Sequence, residues 1–374
     1  MSEKGQEHDI LVVSRACARS SSMERLGVSI VICCHNSARL LPKTLSHLKS
    51  QRVPDQLSWE VVVVDNASTD DTGQVARSCW AEGGPVSLRV IRERRLGLSY
   101  ARERGFQAAR YGVVSFIDDD NWATTEWVAL VSEVMSSDPN LGAIGSINRA
   151  VADVPFPSWF VSYCEYYASW ASRESAQVPV MLNGAGMTIR KATWQDLKRN
   201  NFRLQLTDRV GQRLSSCGDL ELGLAIKLAG WKLHIEPRLE LQHYMPEARL
   251  RWRYLRRLLR GVGKSNVVLD SYFYIAEPYL PGLKNRLRLR YWWWSFLGES
   301  RRLLNNYSLI TLIKFCLVDM EGEKAAAELE VRIGRLMGLL RLRSRYMTLR
   351  HEIAHAPWRR RQSPLWDLNE VSGG

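Results

Sequence analysis

The 374-residue sequence lacks long apolar runs, closely spaced cysteines and internal repeats. Because a helix needs ~18 consecutive apolar residues to cross a bilayer, the sequence predicts no transmembrane span. The charged start of the chain, with Glu3, Lys4, Glu7 and Asp9, is unlike a secretory signal. The seven cysteines are scattered without a C-x-x-C pair, which argues against zinc and redox sites and favours a reducing compartment.

Acidic residues are scarce relative to basic ones, with 39 Asp and Glu against 52 Lys and Arg, a net charge of +13. A surface with this excess attracts polyanions, so nucleic acid, anionic lipid and phosphorylated ligands all remain open. Hydrophobic residues make up 45% of the chain and charged residues 24%. These values exclude a chain that is disordered throughout and predict a folded protein.

Short β-branched runs alternate with amphipathic stretches through the first third of the chain. The apolar runs cover residues 28–32, 60–65, 86–90 and 113–117. Between them lie helical patterns over 40–48 and 98–111, and a capping pattern in which Ser68 is followed by Asp71. Continuous apolar strands alternating with helices predict the α/β class with a mostly parallel sheet.

Polar residues follow three of these strands at the point where each strand ends. They include His35, the pair Asp65 and Asn66, and the pair Asp118 and Asp120. Ligands of open α/β sheets lie beyond the carboxyl ends of the strands. A carboxylate pair at this edge suits a divalent cation that bridges a diphosphate, although an isolated D-x-D pattern is also typical of a solvated acidic turn.

Four segments in order, 28–36, 60–71, 96–109 and 114–121, resemble the nucleotide-sugar half of the family 2 glycosyltransferases. Residues 183–190 resemble the glycine-containing strand entry of its acceptor half. Asp219 and Glu221 resemble its Glu-Asp-x-Glu-Leu helix start, with Gly218 where that family has Glu. The resemblance continues to His243 and covers roughly residues 27–265.

The resemblance implies a GT-A fold and an inverting transfer from a nucleoside-diphosphate sugar, with Mn²⁺ or Mg²⁺ as cofactor. It implies that Asp219 is the general base, with Glu221 as a secondary candidate. The residues implied to bind the nucleotide are His35, Asp65, Asn66, Arg102, Asp118 and Asp119. Those implied to hold the cation are Asp118, Asp120 and His243. Without the resemblance, Asp219 also fits a helix N-cap and Glu221 an ion-pair partner.

The resemblance implies a nucleotide-sugar-binding half (27–150) and an acceptor-binding half (151–248). Before them, a Ser- and Arg-rich run without periodicity predicts a flexible leader (1–26). After them, we expect a helical, basic, membrane-associating region (249–350) and a flexible tail (351–374).

A basic amphipathic pattern over 249–264 has Trp252, Leu255 and Leu259 on its apolar stripe. A second basic run, which begins at Lys284, leads into three tryptophans at 292–294. These features predict docking on an anionic membrane surface. The alternative is that the apolar stripe packs on the catalytic domain.

The function predicted from the sequence is transfer of one sugar to a glycan or lipid-linked acceptor, in the cytoplasm and peripherally at the inner face of the cell membrane. Ala248 stands where processive enzymes carry the Gln of Gln-x-x-Arg-Trp, which favours single transfer. One alternative is a sugar-nucleotide pyrophosphorylase or cytidylyltransferase, although no glycine follows the first strand to surround a triphosphate. Another is a basic scaffold or nucleic-acid-binding protein; with the resemblance, no nucleic acid partner is expected.

Overall fold

The computed structural model describes residues 27–169, 182–209, 217–276 and 291–360. The predicted leader (1–26), the basic run that begins at Lys284 and residues 361–374 lie outside the described residues.

One sheet of eight strands organises the described part of the chain. In chain order the strands are β1 (Val28–Cys34), β2 (Trp59–Asn66), β3 (Leu88–Glu93), β4 (Val113–Asp118), β5 (Asn121–Ala123), β6 (Leu141–Val151), β7 (Thr188–Arg190) and β8 (Lys232–Tyr244). Their order across the sheet is β3-β2-β1-β4-β7-β6-β8-β5. The first four strands in this order run parallel to one another, and β7 runs antiparallel to its neighbours β4 and β6. The predicted α/β class with a mostly parallel sheet is confirmed.

Helices cover both faces of the sheet and then form a C-terminal layer. They are α1 (Leu41–Lys49), α2 (Thr72–Ala81), α3 (Leu98–Ala108), α4 (Trp127–Ser137), α5 (Lys191–Arg199), α6 (Gly218–Leu228), α7 (Trp252–Ala276), α8 (Trp292–Asn306), α9 (Leu309–Leu317), α10 (Lys324–Arg341) and α11 (Tyr346–Ala354). The predicted helical C-terminal region is therefore present. No helix among the described residues is long and apolar enough to cross a membrane.

The two faces of the central strands belong to two separate cores. Ile30 of β1 packs with α1 and α4, where Trp127 is fully buried. Val31, the next residue along, packs on the opposite face with Phe106 of α3. Because successive strand residues point to opposite faces, a run of buried Val and Ile here requires helices on both sides.

The helix predicted to start at Ser68 begins instead at Thr72. Ser68 Oγ accepts a hydrogen bond from the Asn36 amide at 3.1 Å, while Asp70 Oδ1 accepts from the Thr72 amide at 3.1 Å. The capping pattern was wrong because Ser68 is used to join the ends of β1 and β2. Its hydroxyl therefore fixes the edge where ligands of such sheets bind.

The apolar stripe of α7 faces the protein and not the solvent. Trp252, Leu255 and Leu259 are buried in one cluster with Trp159 and Phe160. The prediction that this stripe contacts a membrane is wrong, and its alternative, packing against the protein, is what the structure shows. Burial of these side chains anchors α7 against the segment that contains Trp159 and Phe160.

Glycines allow α7 and α10 to cross with their backbones in contact. A Cβ added at Gly263 of α7 would overlap the carbonyl oxygen of Val331. A Cβ at Gly334 of α10 would overlap the carbonyl oxygen of Arg260. This glycine crossing, made by Gly263 and Gly334, holds the C-terminal layer against α7 at a separation that no larger residue permits.

The boundary predicted between residues 350 and 351 falls inside α11. Ile353 and Trp358 are buried in the same core as Phe202 and Tyr272, and the Trp358 ring lies 5.4 Å from that of Phe202. Residues 351–360 are therefore packed, which corrects the predicted start of the tail.

Candidate active site

The candidate site lies beyond the carboxyl ends of β1, β2 and β4, the edge that the sequence predicts. The long strand β8 brings His243 to this edge. In the antiparallel pairing of β5 and β8, His243 stands opposite Asn121. The residue before Asn121 is Asp120, so an aspartate and a histidine far apart in sequence become neighbours.

Asp120 and His243 form a buried pair. The Nε2 atom of His243 lies 3.5 Å from Oδ1 of Asp120, and both residues are buried. The other ring nitrogen, Nδ1, is 3.2 Å from the hydroxyl of Ser169. Burial lowers the pKa of His243, against the opposing effect of Asp120, and so favours the neutral ring. With Nδ1 engaged by Ser169, the ring directs Nε2 at Asp120, as second-shell partners of metal-binding histidines do.

Arg249 is the third member of a cluster with Asp120 and His243, and it was not predicted from the sequence. Its Nη1 atom lies 2.7 Å from Oδ2 of Asp120. Burial favours the protonated form of Asp120, but the positive groups around it, Arg249 first among them, outweigh burial and hold the pKa of Asp120 below its usual range. Burial and the charge of Asp120 raise the pKa of the adjacent Asp119 to about 7. The cluster therefore keeps one carboxylate ionised beside one that is easily protonated.

The residues present fit a divalent cation that shares its coordination with a ligand. Asp120 offers a carboxylate and His243 an imidazole nitrogen, and Asp118 lies partly exposed at the end of β4. Within the described ranges, no three His, Cys, Asp or Glu side chains form a complete metal centre. Two protein ligands with the remainder from a diphosphate is a usual arrangement for Mg²⁺.

Asp219 lies partly exposed in the first turn of α6. Its Oδ2 atom accepts a hydrogen bond from the Gly184 amide at 2.6 Å, and Oδ1 accepts from the Leu220 amide at 2.9 Å. The N-cap position belongs to Cys217, which has no capping side-chain bond. Asp219 is thus not the N-cap residue, and two backbone amides fix the orientation of its carboxylate.

A buried ion pair between Arg102 and Asp208 supports this part of the site. Their Nη1 and Oδ2 atoms are 3.1 Å apart, and Oδ1 of Asp208 accepts from the Gly218 amide at 2.6 Å. A Cβ at residue 218 would overlap the Asp208 carboxylate. Where the resembled family has Glu, Gly218 therefore leaves the space that the Asp208 carboxylate occupies.

Arg102, which was predicted to bind the nucleotide, forms the buried ion pair with Asp208. Burial opposes its charge, but the carboxylates of Asp208, Asp219 and Asp118 outweigh that effect and raise the pKa of Arg102. Gly184, which has no side chain, leaves room for its Nη2 atom. Arg102 thus links the Asp219 region electrostatically to the end of β4.

We expect Asp208→Asn to lower the free energy of unfolding by about 3 kcal/mol, because Arg102 would stay buried without its partner charge. Urea denaturation measures the change. The control is Glu103→Gln, which breaks the more exposed Glu103–Lys198 pair and should cost under about 1 kcal/mol. Equal losses in the two variants would show that Asp208 is not needed to balance Arg102.

Glu221, the secondary candidate for the base, faces the protein interior. Its carboxylate accepts from the amides of Gln205 and Leu206, both at 2.8 Å, and from the Tyr272 hydroxyl at 2.6 Å. The residue has no exposed surface, and burial raises its pKa to about 7. As a base, Glu221 was the wrong candidate: the carboxylate joins the loop before α6 to α7 and cannot reach an acceptor.

The predicted site residues at the ends of β1 and β2 are of two kinds: one side chain is used inside the protein, and the others can still meet a ligand. Asn66 is buried; its Nδ2 donates to the Arg95 carbonyl at 2.7 Å, and its Oδ1 accepts from the Gly97 amide at 2.8 Å. Its side-chain amide therefore holds the connection before α3 in place. This finding corrects the prediction that Asn66 binds the nucleotide. Asp65 is partly buried and His35 is exposed, with its Nδ1 2.8 Å from the Asn66 carbonyl. Both remain available at the edge.

Comparison with known proteins gives agreeing results. Residues 29–186 match the family model described as Glycosyl transferase family 2. Chondroitin synthase of Escherichia coli is 30% identical over 121 residues, which are 32% of this chain and 17% of that protein. An uncharacterized glycosyltransferase of Mycobacterium tuberculosis is 28% identical over 188 residues, 49% of this chain and 78% of that protein. The chain thus spans about one sixth of the length of the Escherichia coli relative.

Among solved structures, a mannosyltransferase from Pyrobaculum calidifontis, in complex with GDP-Man and Mn²⁺, has the same architecture. It aligns with a TM-score of 0.50 and 18% identity, over 85% of this chain and 87% of that one. At this identity the similarity concerns the fold alone, and the fold is GT-A. The matched family segment ends at residue 186, before Asp219 and His243.

Proposed function

We propose that this chain, whose residues 29–186 match the model of glycosyl transferase family 2, is a metal-dependent, inverting glycosyltransferase. It moves one sugar from a nucleoside-diphosphate sugar to a glycan or lipid-linked acceptor, in the synthesis of a cell-surface polysaccharide or glycolipid. The observation that carries this proposal is the buried Asp120–His243 pair at the carboxyl edge of the sheet.

Asp120 and His243 hold the cation in this proposal, with Asp118 beside them. The bound cation supplies positive charge that offsets the charge developing on the departing diphosphate. Arg249 contributes a second, permanent positive charge at the same place. His35 and Asp65 contact the nucleoside, and Asp119 lies toward the diphosphate. The donor thus lies along the ends of β1, β2 and β4.

Asp219 removes the proton from the acceptor hydroxyl as that oxygen attacks the anomeric carbon. The attack comes from the face opposite the leaving diphosphate, so the anomeric configuration inverts. The amides of Gly184 and Leu220 hold the Asp219 carboxylate in place, because a general base must lie within hydrogen-bond distance of the proton it accepts. In this proposal, residues 27–150 bind the donor and residues 151–248 the acceptor.

The basic residues around the start of α7 do not favour the nucleic-acid alternative. Arg249 pairs with Asp120, while Arg256 and Arg260 both pair with the buried Glu330. Arginines whose charge is balanced by a carboxylate of the same protein contribute less to phosphate contacts on an extended polyanion. The excess positive charge is better used at the donor site and, as we propose, at the inner face of a membrane that carries the acceptor.

The proposal is tested by thermal unfolding with nucleoside diphosphates and Mn²⁺ or Mg²⁺. A diphosphate at roughly a hundredfold excess over its Kd should stabilise the fold by about 2.7 kcal/mol, and only when the cation is present. The matching nucleoside monophosphate, which lacks the second phosphate, and duplex DNA serve as controls. Stabilisation by DNA, or none by any diphosphate, would contradict the proposed function.

A further inference from the structure

Helix α9 is an apolar element on the surface of the protein. None of its nine residues is buried. Leu309, Ile313 and Leu317 follow at intervals of four residues and are 72%, 48% and 78% exposed, and Ile310 beside them is 68% exposed. Residues spaced by four lie on one face of a helix, so α9 presents an aliphatic stripe to the solvent.

The preceding helix α8 adds aromatic and aliphatic surface. Trp293 and Trp294 are both exposed, and their rings stack with centroids 4.1 Å apart. Leu297 and Leu304 are also exposed and share a face with Trp293. Exposed apolar surface on this scale marks a contact site in a soluble domain.

Both ends of α9 are attached to the protein, so its exposure does not come from a detached segment. Before the helix, Tyr307 is buried and its hydroxyl donates to Glu328 of α10 at 2.9 Å. Within it, the Arg256 guanidinium lies 4.7 Å from the centre of the Phe315 ring. After it, Met320 is buried. The aliphatic stripe is therefore held outward by the fold.

The charge around this surface selects the partner. Between residues 283 and 318 the only acidic residue is Glu299, which is buried and paired with Arg335 and Arg332. The only charged residue of α9 is Lys314, and Arg301 of α8 is exposed. Among the described residues of this stretch the basic ones are Arg301, Arg302 and Lys314, and the sequence has four more at 284–290, outside the described residues.

We propose that α9, together with the exposed face of α8, is the surface by which this protein binds an anionic lipid bilayer. The aliphatic stripe enters the acyl boundary, the two indoles lie at the headgroups, and Arg301 and Lys314 face the lipid phosphates. A second copy of the chain fits less well, because two surfaces of the same positive charge repel. This surface deepens the proposed function, since a lipid-linked acceptor would lie in the same plane.

The test is cosedimentation with vesicles of phosphatidylcholine alone and of phosphatidylcholine with phosphatidylglycerol. The wild type should bind only the anionic vesicles, and more weakly in high salt. The triple variant Leu309→Gln, Ile313→Gln, Leu317→Gln should bind at least about tenfold more weakly, because each Leu or Ile contributes apolar burial. The control, Met337→Gln with Leu340→Gln, removes exposed apolar side chains from α10 and should bind like the wild type.

All five substituted side chains are exposed, and unchanged thermal unfolding would show that the variants fold. The surface proposal is overturned if the wild type ignores anionic vesicles, if the triple variant binds them equally, or if that variant merely turns a dimer into a monomer. Cosedimentation with vesicles is measured without a sugar donor and without enzymatic turnover. A wild type that binds diphosphate with the cation but does not bind anionic vesicles would refute this surface alone, whereas a wild type that binds anionic vesicles but no diphosphate would refute the proposed function alone.

Discussion

We expect the Asp219→Asn variant to transfer sugar at least about a hundredfold more slowly than the wild type, with unchanged diphosphate binding. Asn has nearly the same shape, and its side-chain oxygen can still accept a hydrogen bond from the Gly184 amide. The amide group cannot take up the proton of an acceptor hydroxyl at neutral pH. Initial rates with saturating donor, beside thermal shifts with nucleoside diphosphate, separate the chemical step from donor binding.

Glu221→Gln is the matched control, because it removes a carboxylate two residues along the same helix. The buried Glu221 side chain accepts three hydrogen bonds. Its replacement should therefore lower the free energy of unfolding by about 1–3 kcal/mol, with little change in the rate per folded molecule. A slow Glu221→Gln enzyme beside an active Asp219→Asn enzyme would reverse the two roles.

We expect chelation of divalent cations to abolish transfer, and added Mn²⁺ or Mg²⁺ to restore it. Asp120→Ala should lose both transfer and the cation-dependent stabilisation by nucleoside diphosphate, since Asp120 supplies the carboxylate ligand in the proposed site. The variant also leaves Arg249 without its 2.7 Å partner. Diphosphate alone should then bind to the freed guanidinium without any benefit from the cation.

Asp153→Ala is the control for this variant. Its carboxylate accepts from the hydroxyl of Tyr244, the residue after His243, but it is not part of the Asp120 cluster. Loss of this negative charge near the end of β8 should leave cation dependence intact. Full turnover of the wild type in excess chelator would refute the cation site and would assign the stabilisation of the diphosphate to Arg249.

The first strands of the sheet were predictable because their signal is local. A buried parallel strand is a run of β-branched residues, as in β1, β2 and β4, and the structure brings the polar residues after these runs to one edge of the sheet. Strand β8 was not predicted, although Leu233, Ile235, Leu239 and Leu241 alternate along it. Pro237 interrupts that pattern, and the structure accommodates it where the pairing with β6 jumps from Ile235 to Glu240.

The residues missed at the site depend on contacts across long stretches of sequence. Arg249 meets Asp120 across 129 residues, and Asp208 meets Arg102 across 106. Neither Arg249 nor Asp208 belongs to a motif. Among many arginines, nothing local distinguishes the one that enters a buried carboxylate cluster. Only the folded sheet and the start of α7 bring these partners together.

The apolar stripe of α7 shows a different limit of prediction from sequence. An amphipathic pattern predicts that one face of a helix is removed from water, but not whether protein or lipid covers it. Trp252 and Leu255 are covered by the aromatic cluster around Trp159. The equally apolar α9 is left uncovered by the described residues. Only tertiary packing separates the two cases.

The glycine crossing between α7 and α10 limits how this enzyme can be recombined with its relatives. Gly263 and Gly334 lie 71 positions apart in the numbering, yet each one faces a carbonyl oxygen of the opposite helix. A chimera that takes α7 from one parent and α10 from another needs a glycine at both positions, or the two backbones separate. Because α7 starts three residues after Arg249, such a separation would be transmitted toward the carboxylate that Arg249 holds. Successful domain exchange therefore has to move the sheet and its helical layer together, as one module.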